Sequence, residues 1–163
     1  MKKLLGMILT LALAAGLAWP VYAESSTVPP EVTAHAYLVM DAQTGQVLVQ
    51  KGGAERNYPA SITKIMTLAL AMEKCGGDMT QQVTVSPDAV YSLEAGSSHV
   101  ALQPGEVVSL NDLFHATILA SANDAANVLA EYTAGSMEAF VELMNAKAAE
   151  LGLAVTHFVN ANG

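Results

Sequence analysis

A single cysteine, Cys75, serves 163 residues, so no internal disulfide can form and stability has to come from packing. Positive charge is scarce as well: seven Lys and Arg stand against fifteen Asp and Glu. Two of the seven, Lys2 and Lys3, lie in the first 23 residues, which hold no acid, so the formal charge moves from −8 to −10 without them. That balance argues against nucleic acid as a partner and against electrostatic docking on an anionic membrane. Paired metal-ligand spacings are missing too. His35, His99, His115 and His157 are scattered, with no His-Glu-x-x-His pattern, and no glycine-rich phosphate cradle is present. Neither a metal nor a cofactor is implied. What remains is a chain that is 52% hydrophobic and rich in Ala, Leu and Val, enough for one core.

The only long apolar run, residues 4–18, is shorter than the roughly 20 residues a membrane span needs. It follows Met1-Lys2-Lys3 and leads to Val21-Tyr22-Ala23, the form of a secretory signal peptide cleaved after Ala23; an uncleaved anchor is the alternative. Residues 1–23 are therefore expected to direct export. Residues 24–33, polar and carrying Pro29-Pro30, read as a mobile leader. Residues 34–163 remain as one globular domain or part of one.

Residues 36–40 (AYLVM) and 46–50 (QVLVQ) flank the turn formers Asp41 and Gly45 and predict a hairpin. In residues 62–74 apolar side chains cover most of a helical circumference, which predicts a central helix closed by Gly76-Gly77 and ending on a buried Cys75. Residues 83–85 read as a short strand, and Ser86-Pro87 as the start of a short helix. Ser109 with Asp112 has capping-box spacing and predicts a helix to about residue 120. Two more helices are expected, one over about 124–133 closed by Gly135 and one from Ser136 to about 151.

Two constellations could carry chemistry. Ser61 and Lys64 are three apart at a helix start, where the amine can reach the hydroxyl and the helix dipole favours an oxyanion over a protonated lysine. Burial pushes the lysine the same way, toward a neutral amine able to take the serine proton. The spelling alone is weak: from ten Ser and six Lys, about 0.4 such pairs arise by chance. A capping serine beside a snorkelling lysine is the competing reading. The second element is Ser121-Ala122-Asn123 between two predicted helices, where a hydroxyl and a carboxamide suit a proton relay and an amide clamp. Capping competes here too, since Ser109-Leu110-Asn111 has the same spelling.

Taken together, residues 39–48 (VMDAQTGQVL), 59–67 (PASITKIMT), 121–126 (SANDAA) and 156–160 (THFVN) resemble, in order, the N-terminal part of an exported D-alanyl-D-alanine carboxypeptidase, a low-molecular-mass penicillin-binding protein. The resemblance covers residues 34–163. It implies the α/β fold shared by serine DD-peptidases and β-lactamases, represented here by the initial β-hairpin and the helical part. It also implies Ser61 as nucleophile, Lys64 as base, Ser121 as relay toward the leaving amine, and Asn123 as a partner of substrate and lysine. The implied substrate is a peptidoglycan stem peptide ending in D-Ala-D-Ala, with β-lactams as acylating ligands, outside the cytoplasmic membrane in the cell wall or periplasm.

The family's third element, Lys-Thr-Gly on a sheet strand, has no counterpart, because the only lysine after Lys74 is Lys147, followed by Ala148-Ala149. A truncated catalytic domain, with its C-terminal strands and any membrane-attaching tail beyond Gly163, is the expectation. β-Lactamase chemistry on the same Ser61 and Lys64, and a penicillin-binding module without turnover, are the rival readings.

Overall fold

The computed structural model describes residues 31–163. The expected signal peptide, and the leader up to residue 30, lie outside the described residues. The chain divides into two units at Gly53.

In the first unit, strands β1 (Tyr37–Met40) and β2 (Val47–Lys51) pair antiparallel with Val39 opposite Val49, and the register shifts between Val39 and Met40. The turn is held by Asp41, whose Oδ1 accepts from Thr44 N at 2.7 Å and Thr44 Oγ1 at 2.7 Å. These bonds keep the Asp41 carboxyl below its usual value. Gly45 supplies the positive φ, 72°, that returns the chain.

The second unit opens with a 3₁₀ turn (Ala60–Thr63) running into α1 (Lys64–Cys75). Strands β3 (Gln82–Thr84) and β4 (Val107–Ser109) pair antiparallel and bracket the short helix α2 (Pro87–Tyr91). Helices α3 (Leu110–Leu119), α4 (Asn123–Ala134) and α5 (Met137–Glu150) follow. The predicted caps do their work: Ser86, Ser109 and Ser136 each accept from the backbone N–H three residues on. Gly76 and Gly135 close α1 and α4 in the left-handed conformation. Cys75 is buried, as expected.

The order of burial among the helices differs from expectation. Helix α1 was predicted to be central, yet Ile62 and Ile65 are 65% and 64% exposed. The centre is α4, which buries eight residues and packs against α1, α2, α3 and α5. The physical reason is size: Ala125, Ala126 and Ala130 let neighbouring helices approach closely, with Leu110, Leu113, Val128, Leu129, Phe140 and Met144 filling the layers between. Among the described residues no helix is long and apolar enough to cross a membrane.

Candidate active site

The 3₁₀ turn presents Ser61 on the surface, while Lys64, one turn on, is only 3% exposed. Ser61 caps nothing; neither the 3₁₀ turn nor α1 has a side-chain cap at its start. Its hydroxyl instead lies 3.1 Å from Lys64 Nζ. The lysine does not snorkel. Its amine is enclosed, with further contacts to Ser121 Oγ at 3.4 Å and the Asn162 carbonyl at 2.9 Å. Burial is the cause that holds the amine below the usual lysine value, and so toward the neutral form that can accept a proton.

Ser121 reaches the lysine because of its backbone. Its φ of 53° is left-handed, a conformation a serine adopts at a cost of about 1–2 kcal/mol, and it turns the corner between α3 and α4. Ala60, immediately before Ser61, has φ 49°. Among the described residues, two of the three non-glycine residues with positive φ thus flank the lysine, a pattern of strain associated with functional sites. Gly163 packs against the 3₁₀ turn so closely that a Cβ there would overlap the Ala60 carbonyl.

Asn123 is placed differently from the expectation that it partners the lysine. It begins α4, its backbone N–H donates to Ser98 O at 2.8 Å, and no hydrogen bond joins it to Lys64. The third position around the amine belongs to the Asn162 carbonyl. Asn123 lines a cleft of about 540 Å³, shared with Ser97, Asn127, Asn160 and Asn162.

Several residues of this site escaped sequence reasoning. Asn162 contributes a backbone oxygen, which no side-chain motif announces. Thr67 donates from its hydroxyl to Ala161 O at 2.6 Å, and Asn127 Oδ1 accepts from Asn162 Nδ2 at 3.0 Å. Asn145 grips the preceding segment, exchanging hydrogen bonds of 2.9 Å with the N–H and C=O of Phe158. Asp124, 1% exposed, accepts from Val100 N at 3.2 Å and Leu102 N at 3.0 Å and so ties down the loop that carries Ser98.

Residues 23–163 match the D-alanyl-D-alanine carboxypeptidase family. The chain belongs to that family. D-alanyl-D-alanine carboxypeptidase DacC of Escherichia coli is 41% identical over 147 residues, 86% of this chain and 37% of that protein. DacF of Bacillus subtilis is 34% identical over 166 residues, which takes in 100% of this chain and 43% of the relative. Among solved structures, penicillin binding protein 6B from Escherichia coli superposes with a TM-score of 0.77 at 37% identity, over 86% of this chain and 46% of that one. The fold is therefore that of the serine DD-peptidases, as the sequence motifs implied, and the chain spans less than half the length of these relatives.

Proposed function

We propose that this chain carries the nucleophile half of a serine D-Ala-D-Ala carboxypeptidase, acting on peptidoglycan stem peptides after export. Ser61 attacks the carbonyl between the two D-alanines and Lys64 takes its proton. Ser121 relays a proton to the leaving amine, so that D-alanine departs and an acyl group remains on Ser61. Water then frees the acyl group and restores the serine. Asn123 holds the substrate amide from the cleft. β-Lactams, whose strained amide mimics the scissile bond, acylate the same serine. The observation that carries this reading is the enclosed Lys64 amine, with the Ser61 and Ser121 hydroxyls 3.1 and 3.4 Å away and burial favouring its neutral form.

The greater length of the relatives supports reading residues 34–163 as the N-terminal part of a catalytic domain. Residues 1–23 as a signal peptide, with action at the outer face of the cytoplasmic membrane, in the cell wall or in the periplasm, belong to the same proposal, as does any C-terminal membrane attachment. Labelling with fluorescent penicillin tests the chemistry. In the full-length protein Ser61 should be acylated, and Ser61→Ala and Lys64→Arg should each abolish labelling, because a guanidinium keeps its proton; residues 24–163 alone, without a Lys-Thr-Gly strand, should turn over little or nothing. Labelling that survives Ser61→Ala would overturn the assignment, while labelling without D-alanine release would identify a penicillin-binding module that does not turn over.

A further inference from the structure

A neutral amine has two hydrogens and one lone pair, and to act as a base Lys64 must aim the lone pair at Ser61. Three groups surround its nitrogen, and they are not equivalent. The Asn162 carbonyl can only accept, so it claims one N–H. The other N–H and the lone pair are left for the two hydroxyls, each of which can donate or accept. With one N–H on Asn162 and the other on Ser121, the lone pair faces Ser61. Without an obligate acceptor in the third position, rotation about the last side-chain bond would leave the lone pair unaimed.

That carbonyl sits in residues 160–163, which form neither helix nor strand, so something else must hold it. Inside the turn, Asn160 Oδ1 accepts from Asn162 N at 3.2 Å and Gly163 N at 2.5 Å. Two fully or almost fully buried side chains hold the turn from outside. Thr67, on α1 one turn beyond Lys64, is 0% exposed and donates to Ala161 O rather than to the carbonyl four residues back that a helical threonine ordinarily uses. Asn127, mid-way along α4, is 3% exposed and a poor choice there on helix propensity. Its Nδ2 donates to Ala89 O at 3.1 Å and Ser92 Oγ at 3.2 Å, which obliges its Oδ1 to face Asn162.

We propose that Thr67 and Asn127 are positioning residues for Lys64: they fix the 160–163 turn so that the Asn162 carbonyl takes one amine hydrogen and leaves the lone pair facing Ser61. The chemical consequence rests on the reading of Lys64 as a base. The groups that face the amine are the Ser61 hydroxyl from the 3₁₀ turn, the Ser121 hydroxyl from the corner before α4, and the Asn162 carbonyl from the C-terminal turn. Burial is the cause that lowers the amine's titration, so loosening the turn has two opposed effects: it removes the Asn162 acceptor, a group that favours the ammonium, and it admits water, which favours the ammonium more.

The test is titration of Lys64 by NMR, in the full chain as processed by the cell and labelled with ¹³C at lysine Cε, with Lys64→Arg assigning the resonance. In the parent, Lys64 should titrate below the other lysines. In Thr67→Val and Asn127→Leu its midpoint should rise by about one pH unit or more as water reaches the amine, and Thr67→Ser should keep the parent value. An unchanged midpoint in folded Thr67→Val overturns the proposal, and so does an equal rise in Thr67→Ser, which would show that volume rather than the hydroxyl matters. No substrate is involved, so failure here leaves the Ser61 acylation test standing, and failure of acylation leaves this titration readable.

Discussion

Ser109 and Ser121 share the spelling Ser-x-Asn and do different physical work. Ser109 Oγ accepts from Asp112 N at 3.1 Å and starts α3; Ser121 caps nothing and stands 3.4 Å from the Lys64 amine. Ser109→Ala should therefore lower unfolding free energy by about 1 kcal/mol and leave penicillin acylation intact. Ser121→Ala should slow acylation by about 100-fold while costing little stability. Denaturant titration and acylation kinetics on both variants check this, and equal kinetic losses would show the two serines to be equivalent after all. Lys64 itself has a price in stability. Its folded-state pKa is depressed, so below that value folding must confine a charge that the unfolded chain keeps solvated, and the penalty fades as pH climbs toward the ordinary lysine value of 10.5. Lys64→Met should accordingly be more stable than the parent at pH 7, with the advantage shrinking toward pH 10; a constant difference across that range would mean that burial does not destabilise the ammonium. Spacing made the Ser61 and Lys64 pair legible, because residues three apart share a helical face. Ser121 lies 57 positions from Lys64; its place between two predicted helices made it a candidate, and its likeness to a family motif decided between relay and cap. The positioning roles of Thr67 and Asn127 were not legible, because polar residues in an apolar helix look like solvent-facing positions until the partner segment is in place, and Asn162 acts through a backbone oxygen that no side-chain pattern announces.

At the scale of elements, local chemistry made most boundaries readable. Caps at Ser86, Ser109 and Ser136 and glycine stops at Gly76 and Gly135 depend only on neighbouring residues. Strand β4 went unread because it runs directly into α3 and shares Ser109 with that helix's cap, and its strand character comes from pairing with β3. The exchange of roles between α1 and α4 has a similar origin. Periodicity reports how apolar a helix is, whereas small residues decide which helix others can close around. Asp124 illustrates the cost of such closeness: a carboxylate buried at the start of α4, satisfied by Val100 N, Leu102 N and Ala125 N. Asp124→Ala would leave two loop N–H groups unpaired and should cost about 2–4 kcal/mol, read by denaturant titration. A loss under about 1 kcal/mol would mean that water takes over the carboxylate's bonds.

At the scale of the whole molecule, the described residues of the Ala54–Gly163 unit present an apolar surface that the unit's own helices do not cover. Along one side of the Ala54–Gly163 unit, Leu68, Ala69 and Met72 of α1 face Phe114, His115 and Ile118 of α3 across an almost wholly apolar depression of about 390 Å³. Met72 and Ile118 are 43% and 58% exposed, and Ile62, Ile65 and Leu119 add to the apolar surface of the same unit. An apolar patch of this kind is sticky in water, because covering it releases roughly 25 cal/mol per Å² whatever does the covering. The formal charge of −10 beyond residue 23 opposes self-association at low ionic strength and is screened within about 8 Å at 0.15 M salt. The processed chain should therefore bind the apolar dye ANS and shift from monomer toward larger species as salt is raised. Met72→Gln together with Ile118→Gln should lower both signals several-fold without moving the Lys64 contacts. Analytical ultracentrifugation across a salt series, beside ANS fluorescence, measures the effect. A salt-independent monomer with no dye binding would show that this face is closed in solution, and the same dye response in the double variant would place the sticky surface elsewhere on the chain.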